Sequence, residues 1–369
     1  MVQRFLTRKR SSSQPPAALP LILLLLVLVM PGALPAKDKS PRQVQAPPDL
    51  LLEGGRKLSF ERVLTSEKDI KGPKGFLKKM VDVVAGEAEL KPMLRPYSVA
   101  VDSKGRVIVT DPGLGGIHVF DVEQHKYKFL QREDKGKNSL LQPQCVAVDA
   151  EDNIYVTDSQ AGKIFIWGAN GKYKGMFGNL KGGEGFFKRP TGIAIDRETN
   201  EIYVTDTLRD RVYVLDKNGQ TVRTIGQRGE QNGEFNFPTE VLARNGVVAV
   251  VDAMNFRIQI FDRKGVFQGA IGDAGDSSGS LFRPKGLGLD SENHIYLADG
   301  FRDSVQVFDR EGQLLYEFGG RGTQLGQFQL PTGLSIDQND RVYVVDSYNR
   351  RVQVFQYHGL KATAQGAKP

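Results

Sequence analysis

The sequence predicts an all-β fold: a six-bladed β-propeller of four-stranded antiparallel blades. Three observations predict it. A proline that opens a short apolar run recurs at Pro96, Pro143, Pro190, Pro238, Pro284 and Pro331, with spacings of 47, 47, 48, 46 and 47 residues. A fixed period in the range of roughly 20–50 residues marks a solenoid, propeller or array. An aspartate that closes an alternating run keeps the same period at Asp111, Asp158, Asp206, Asp252, Asp299 and Asp346. Within a unit, apolar residues alternate with polar ones, as at Val342 and Val344 and again at Val352 and Val354. That period of two is the mark of a half-buried strand. A sheet of about four short strands cannot cover both its faces alone, and packing it radially against its copies does so.

The elements follow in order. Residues 1–36 read as a signal peptide or N-terminal membrane anchor, with Arg4, Arg8, Lys9 and Arg10 ahead of an apolar core from Ala17 to Met30. Residues 37–57 form a Pro-containing linker (Pro41, Pro47, Pro48). Residues 58–357 hold the propeller. The stretch Leu58–Thr65 resembles the fourth strand of a repeat, such as Leu314–Phe318, while the last unit ends at Tyr357 with three strands. The N-terminal strand is therefore expected to complete the last blade, close the ring and remove an open sheet edge. Residues 66–95 interrupt the first blade, and Phe76, Leu77, Met80, Val81, Val83 and Val84 share one arc of a helical wheel. This predicts a helical insertion over 74–86, a candidate for membrane contact. Each repeat then carries tight-turn residues such as Asn218-Gly219 and Glu311-Gly312. Residues 358–369 read as a disordered tail.

Charge excludes one function class. The net charge is +7, but residues 1–40 carry six basic residues against one acidic, so the remainder is close to neutral. Nucleic-acid binding needs a clustered basic stripe, so no nucleic-acid partner is expected. The single cysteine, Cys145, excludes an intrachain disulfide and a cysteine-based zinc site. It stands where other repeats have Gly192, Gly286 and Gly333, and reads as a small buried residue.

The units resemble NHL repeats, as in Pro331–Phe355 (PTGLSID, then RVYVVDSYNRRVQVF) and Pro238–Asp262, and the resemblance covers Leu58–Tyr357. It implies an exported, bacterial-type six-bladed propeller with a shared closing blade. It does not fix a function, because one fold hosts many. Propellers that resemble this one include a peptide-amidating lyase with zinc held by histidines, and lactonases with axial calcium. Here the histidines are His118, His125, His294 and His358, on positions that do not converge, and Glu240 alone suggests a calcium ligand.

The recurrent aspartates read as acceptors for loop amides, with Asp206, Asp252 and Asp346 paired to Arg211, Arg257 and Arg351. The variable loops between second and third strands are the natural binding surface, and Arg209, Arg211, Asn255, Arg257, Arg302, Tyr348, Asn349 and Arg350 are its candidate contacts. Tyr97, Thr191, Glu240 and Lys285 are expected at the channel mouth, and Glu240 with Lys285 reads either as a site or as an ion pair between blades. The expected function is an exported, periplasmic or extracellular, non-enzymatic recognition scaffold. It is expected to take a protein, peptide or glycan, with no cofactor and no metal. The alternative is a channel-centred metal-dependent lyase or lactonase-like hydrolase.

Overall fold

The computed structural model describes residues 46–70, 91–132, 138–275 and 279–360. These residues form six antiparallel sheets arranged as blades around a channel. Blade 1 is Ser98–Val101, Val107–Asp111, Gly116–Asp121 and Lys126–Leu130. Blade 2 is Pro143–Val148, Ile154–Asp158, Lys163–Trp167 and Tyr173–Phe177. Blade 3 is Pro190–Ile195, Ile202–Asp206, Arg211–Leu215 and Thr221–Ile225. Blade 4 is Pro238–Arg244, Val247–Asp252, Arg257–Asp262 and Phe267–Ile271. Blade 5 is Pro284–Leu289, Ile295–Asp299, Ser304–Phe308 and Leu314–Gly319. Blade 6 is Pro331–Ile336, Arg341–Asp346 and Arg351–His358, completed by Lys57–Leu64.

The ring closes as the repeat pattern predicts. Lys57–Leu64 runs antiparallel to Arg351–His358, with Leu58 opposite Tyr357 and Leu64 opposite Val352. Inside the segment read as linker, Leu50–Leu51 adds a fifth strand outside it. Two ion pairs lock this seam: Arg341 Nε to Glu61 Oε2 at 2.8 Å and Arg56 Nε to Glu292 Oε2 at 2.8 Å. Glu292 also accepts the Leu360 amide at 2.7 Å, so the chain is held to the start of its C-terminal segment. The helix expected over 74–86 is not borne out: its residues lie within 71–90, outside the described residues, as do those of the predicted signal segment.

Six apolar clusters fill the wedges between blades. Each takes side chains from two neighbours, such as Val156, Phe165 and Ile108 between blades 1 and 2, or Phe328, Phe355 and Val307 between blades 5 and 6. The second and third strands of blades 2 and 5 are buried along their whole length, while their fourth strands are mostly partly buried or exposed, alternating in blade 5. Fully burying one such Val, Leu, Ile or Phe contributes about 1.5–3 kcal/mol, which is why the blades cohere without helices between them.

Two rings of aspartate organise the two faces. On the hairpin face, where first and second strands turn, Asp102, Asp149, Asp290 and Asp337 each cap the amides two and four residues on. Asp196 caps Glu198 alone in this way. Blade 4 differs: Arg244 stands at this position, and the turn is Asn245-Gly246 with φ of 53° and 79°. Positive φ at both central residues defines the tight two-residue hairpin, which leaves no loop amides for a carboxylate to cap. On the opposite, proline face, the second ring clamps the approach to each proline. Asp111 accepts Leu94 N and Arg95 N, Asp206 accepts Lys188 N and Arg189 N, and Asp299 accepts Phe282 N and Arg283 N. In blades 4 and 6 the residue before proline takes positive φ (Phe237 57°, Leu330 51°), and its amide turns to Asp210 or Asp303 of the preceding blade.

Candidate recognition face and channel

The channel is wide at the hairpin face and closed at the proline face. The wide end is a cavity of about 540 Å³ whose walls include Ala100, Ala147 and Ala194. First strands are sheet edges, so their outward carbonyls face this space. Arg244 Nη1 donates to two of them, Leu289 O at 2.9 Å and Ile336 O at 2.8 Å, and ties blade 4 to blades 5 and 6. Arg197 Nη2 donates to Val101 O at 3.3 Å, reaching from blade 3 to blade 1.

The throat at the proline end has room for about 10 Å³, bounded by Tyr97, Thr239, Glu240, Lys285, Thr332 and Gly333. That is one water's worth of space. Glu240 accepts the Cys145 thiol, with Sγ to Oε2 at 2.9 Å. The contact crosses blade 3, and Gly192 makes it possible: a Cβ there would sit 2.8 Å from Glu240 Cα and 2.9 Å from Val241 N. Burial pushes the Glu240 carboxyl up to about 7. Burial and the nearby Glu240 charge push the Cys145 thiol well up, so it stays protonated and donates.

The proline face carries a pattern outside the channel. The second residue after each clamping aspartate is Gly113, Gln160, Leu208, Met254, Phe301 and Tyr348. The last four, on consecutive blades, are exposed by 37%, 56%, 70% and 68%. Phe301 extends the patch to Phe282, with ring centroids 5.5 Å apart, and the Arg302 guanidinium lies 5.5 Å over Phe282.

The NHL repeat model matches residues 328–355, and a model described as a 6-bladed beta-propeller matches residues 133–209. The chain is an NHL-repeat six-bladed β-propeller. Solved structures resemble this NHL propeller at low identity. Virginiamycin B lyase from Staphylococcus aureus is 14% identical, covering 82% of this chain and 99% of that chain at a TM-score of 0.53. A catalytically inactive histidine-to-alanine variant of that lyase, solved with quinupristin, is 13% identical, covering 71% and 94% at 0.51. An auxiliary nutrient binding protein from Bacteroides thetaiotaomicron is 13% identical, covering 72% and 70% at 0.57. These likenesses establish the fold.

Of the predicted channel-mouth residues, Tyr97, Glu240 and Lys285 line the throat of the NHL propeller. Thr191 does not. Its hydroxyl turns into blade 3 and bonds to Thr205 Oγ1 at 3.0 Å and Thr207 Oγ1 at 2.7 Å. The ion pair between Glu240 and Lys285 does not form either, because the carboxylate takes the thiol instead. Of the loop residues, Tyr348 and Arg350 are exposed. Asn255, Arg257 and Asn349 fold back onto Asp252 or Asp346 and onto carbonyls of the preceding loop. The Asp–Arg pairs hold in blade 4 (2.9 Å) and blade 6 (2.7 Å). In blade 3 Asp206 meets Arg209 at 3.3 Å instead, and Arg211 donates to the Arg209 carbonyl. Arg209 also lies over Phe186 and Tyr213.

The sequence reading missed Leu208, Met254 and Phe301. Their signal was present: they share one offset from the repeat aspartate. It also missed Arg244, which stands where five sibling repeats place aspartate. None of the four histidines lines the cavity or the throat. His118 is buried between Tyr127 and Asp111, and His294 bonds Asp290 at 2.9 Å. Among the described residues, no three His, Cys, Asp or Glu side chains cluster as metal ligands.

Proposed function

We propose that this chain is an exported, non-enzymatic recognition scaffold that binds a protein or peptide through its proline face. The observation that supports this is the arc Leu208, Met254, Phe301 and Tyr348. Four consecutive blades each hold a large apolar side chain in water, at one repeat position, on loops clamped by buried aspartates. Exposed apolar groups that gather on a rigid frame mark partner surfaces, and aromatic anchors of this kind carry most interface energy. The basic and apolar start of the chain supports export, and the nutrient-binding likeness fits a binding role. The lyase or hydrolase reading draws nothing from the channel, whose throat holds a protonated thiol against a carboxyl and a lysine.

The test is cross-linking in the native envelope with the full-length chain and with Met254→Ser, Phe301→Ser and Tyr348→Ser combined. Each substitution should weaken the wild-type partner about 30-fold, since each hot-spot anchor contributes about 2 kcal/mol, and the triple variant should lose it altogether. The folded structure should be kept, because all three side chains are exposed. An unchanged set of cross-linked partners would sink the proposal.

A further inference from the structure

We infer that the channel mouth on the proline face is a receptor for the carboxylates of an acidic peptide segment. The inference rests on the recognition reading above and names the chemistry of its partner. Three observations carry it.

The residue before each opening proline is Arg95, Gln142, Arg189, Phe237, Arg283 and Leu330. Arginine therefore stands on blades 1, 3 and 5, every second position around the mouth. All three are exposed. Among the described residues none of the three guanidiniums makes an ion pair or a side-chain hydrogen bond, while Arg56, Arg106, Arg223, Arg257, Arg263, Arg341 and Arg351 all do. Their backbones are not free to drift: the amides of Arg95, Arg189 and Arg283 are clamped by Asp111, Asp206 and Asp299.

The floor beneath them holds unsatisfied donors beside the Glu240 carboxyl, which is itself engaged by the Cys145 thiol. Lys285 lines the throat and has no ion-pair partner among the described residues. The hydroxyls of Thr239 and Thr332 line it too, buried and without a hydrogen-bond partner, and Thr332 is only 4% exposed. A buried hydroxyl left unpaired is costly and calls for a ligand or water. The charges of Arg189 and Arg283 reach both Tyr97 and Lys285, so the arginines and the throat form one electrostatic unit.

The surroundings select the class of ligand. The apolar arc meets the mouth at blade 5, where Gly300 N donates to the Arg283 carbonyl at 3.0 Å and Phe301 packs on Phe282, so a partner that places carboxylates over the arginines sets its apolar side chains against Phe301 and its neighbours in the arc. Arginine matches carboxylate in a bidentate way. A nucleic acid needs an extended basic track, and the three arginines mark a compact mouth bordered by apolar side chains. The sites of the inference and of the proposed function are adjacent and separable by mutation.

The experiment measures fluorescence anisotropy of a labelled, acetylated peptide Glu-Phe-Glu-Phe-Glu with the full-length chain. Its Gln-for-Glu counterpart, inorganic phosphate as competitor, and single-stranded oligo-dT are run beside it. The Glu peptide should bind at low salt and weaken steeply with added salt. Arg189→Ala with Arg283→Ala should weaken it about tenfold or more, given the strength of charge-assisted hydrogen bonds, and Arg95→Ala should add to this. Arg310→Ala, an exposed arginine in the turn between the third and fourth strands of blade 5 on the opposite face, should leave it within about twofold, a size typical of surface positions. Phosphate should compete only at millimolar levels. Equal binding of the Glu and Gln peptides, no binding of the Glu peptide, or no effect of the double arginine variant would overturn the inference. Tighter, arginine-dependent binding of oligo-dT would overturn it in favour of nucleic acid. If the serine triple variant loses its cross-linked partner while the arginine variants keep it, the recognition reading stands and this inference falls. If the arginine variants alone lose the peptide, the inference stands and the apolar arc is not the contact.

Discussion

The two faces of the propeller are built from the same residue type and end up different. Both use a ring of buried aspartates to cap amides. On the hairpin face the caps hold local turns, from one aspartate to amides two and four residues on. On the proline face they also hold residues sixteen to eighteen positions away, at the entry to the blade. The first arrangement finishes a hairpin and leaves nothing over. The second pins a loop both at its base and at its turn, where Asp299 also accepts Phe301 N at 2.9 Å and Arg302 N at 3.2 Å, and leaves the side chain at the tip in water. A tip fixed at its base can hold Phe301 or Tyr348 in water without collapsing onto the blade. The difference teaches that recognition surface arises here where capping is long-range.

The comparison depends on a closed ring, and the largest effect comes from opening it. Deleting residues 46–64 removes the fourth strand of blade 6, the Glu61–Arg341 and Arg56–Glu292 pairs, and the cover over Phe355 and Tyr357. The two faces should lose their order together. The variant is expected to show no cooperative thermal transition and to aggregate through the bared edge of Arg351–His358. A cooperative transition near the wild-type temperature would show that the blades cohere without closure.

A narrower break acts on the proline face alone. Arg351 is 8% exposed and neutralises Asp346, with further bonds to the carbonyls of Thr323, Gln324 and Gln327. Arg351→Ala leaves Asp346 buried and unpaired, where burial already pushes its carboxyl up. The expected cost is about 3–5 kcal/mol in chemical denaturation. A loss below 1 kcal/mol would mean that Asn349 and Gln353 alone satisfy the carboxylate.

The framework was legible in the sequence because each marker serves the same physical need in every blade. The prolines start first strands, the aspartates cap amides, and the alternation buries both faces of the middle strands. The site was less legible for a matching reason: it is made from departures. Glu240, Cys145 and Lys285 could be seen as departures, but not how they pair, because the Cys145–Glu240 contact is made across blade 3, where the bare Gly192 lets the Glu240 backbone come close. Asn255, Arg257 and Asn349 looked like contacts because they sit in variable loops, where Arg and Tyr dominate contact energy. Their offsets from the aspartate, three for the asparagines and five for the arginine, point them inward, and the exposed offset is two. Thr191 followed the same error at the mouth.

The throat joins the two faces, and Glu240 makes it sensitive to pH. Its folded value of about 7 lies above the ordinary value of 4.5. The folded state therefore holds the proton more tightly than the unfolded chain. The stabilisation is full below about pH 4.5 and is lost as pH rises to about 7. Its ceiling is about 3 kcal/mol, at about 1.4 kcal/mol per unit. Glu240→Gln keeps a neutral acceptor for Cys145, and it should flatten the stability profile between pH 4.5 and 7 in urea denaturation. A variant with the same slope as wild type would place the titration elsewhere.

The smallest effect tests the hairpin face where it breaks its own rule. Arg244→Asp restores the residue that the other five blades carry. The tight Asn245-Gly246 turn offers no distant amides, so the carboxylate should gain nothing there, and the carbonyls of Leu289 and Ile336 lose their shared donor. Burial holds the Arg244 guanidinium below its ordinary value, so part of its favourable contact already offsets desolvation. The net cost should be about 1–2 kcal/mol, that of one or two lost hydrogen bonds to a charged group. Inserting two residues into the Asn245-Gly246 turn alongside Arg244→Asp should recover part of it, because a longer loop supplies amides for the carboxylate to accept. Equal stability of Arg244→Asp with and without the insertion would show that capping on this face is set by something other than turn length.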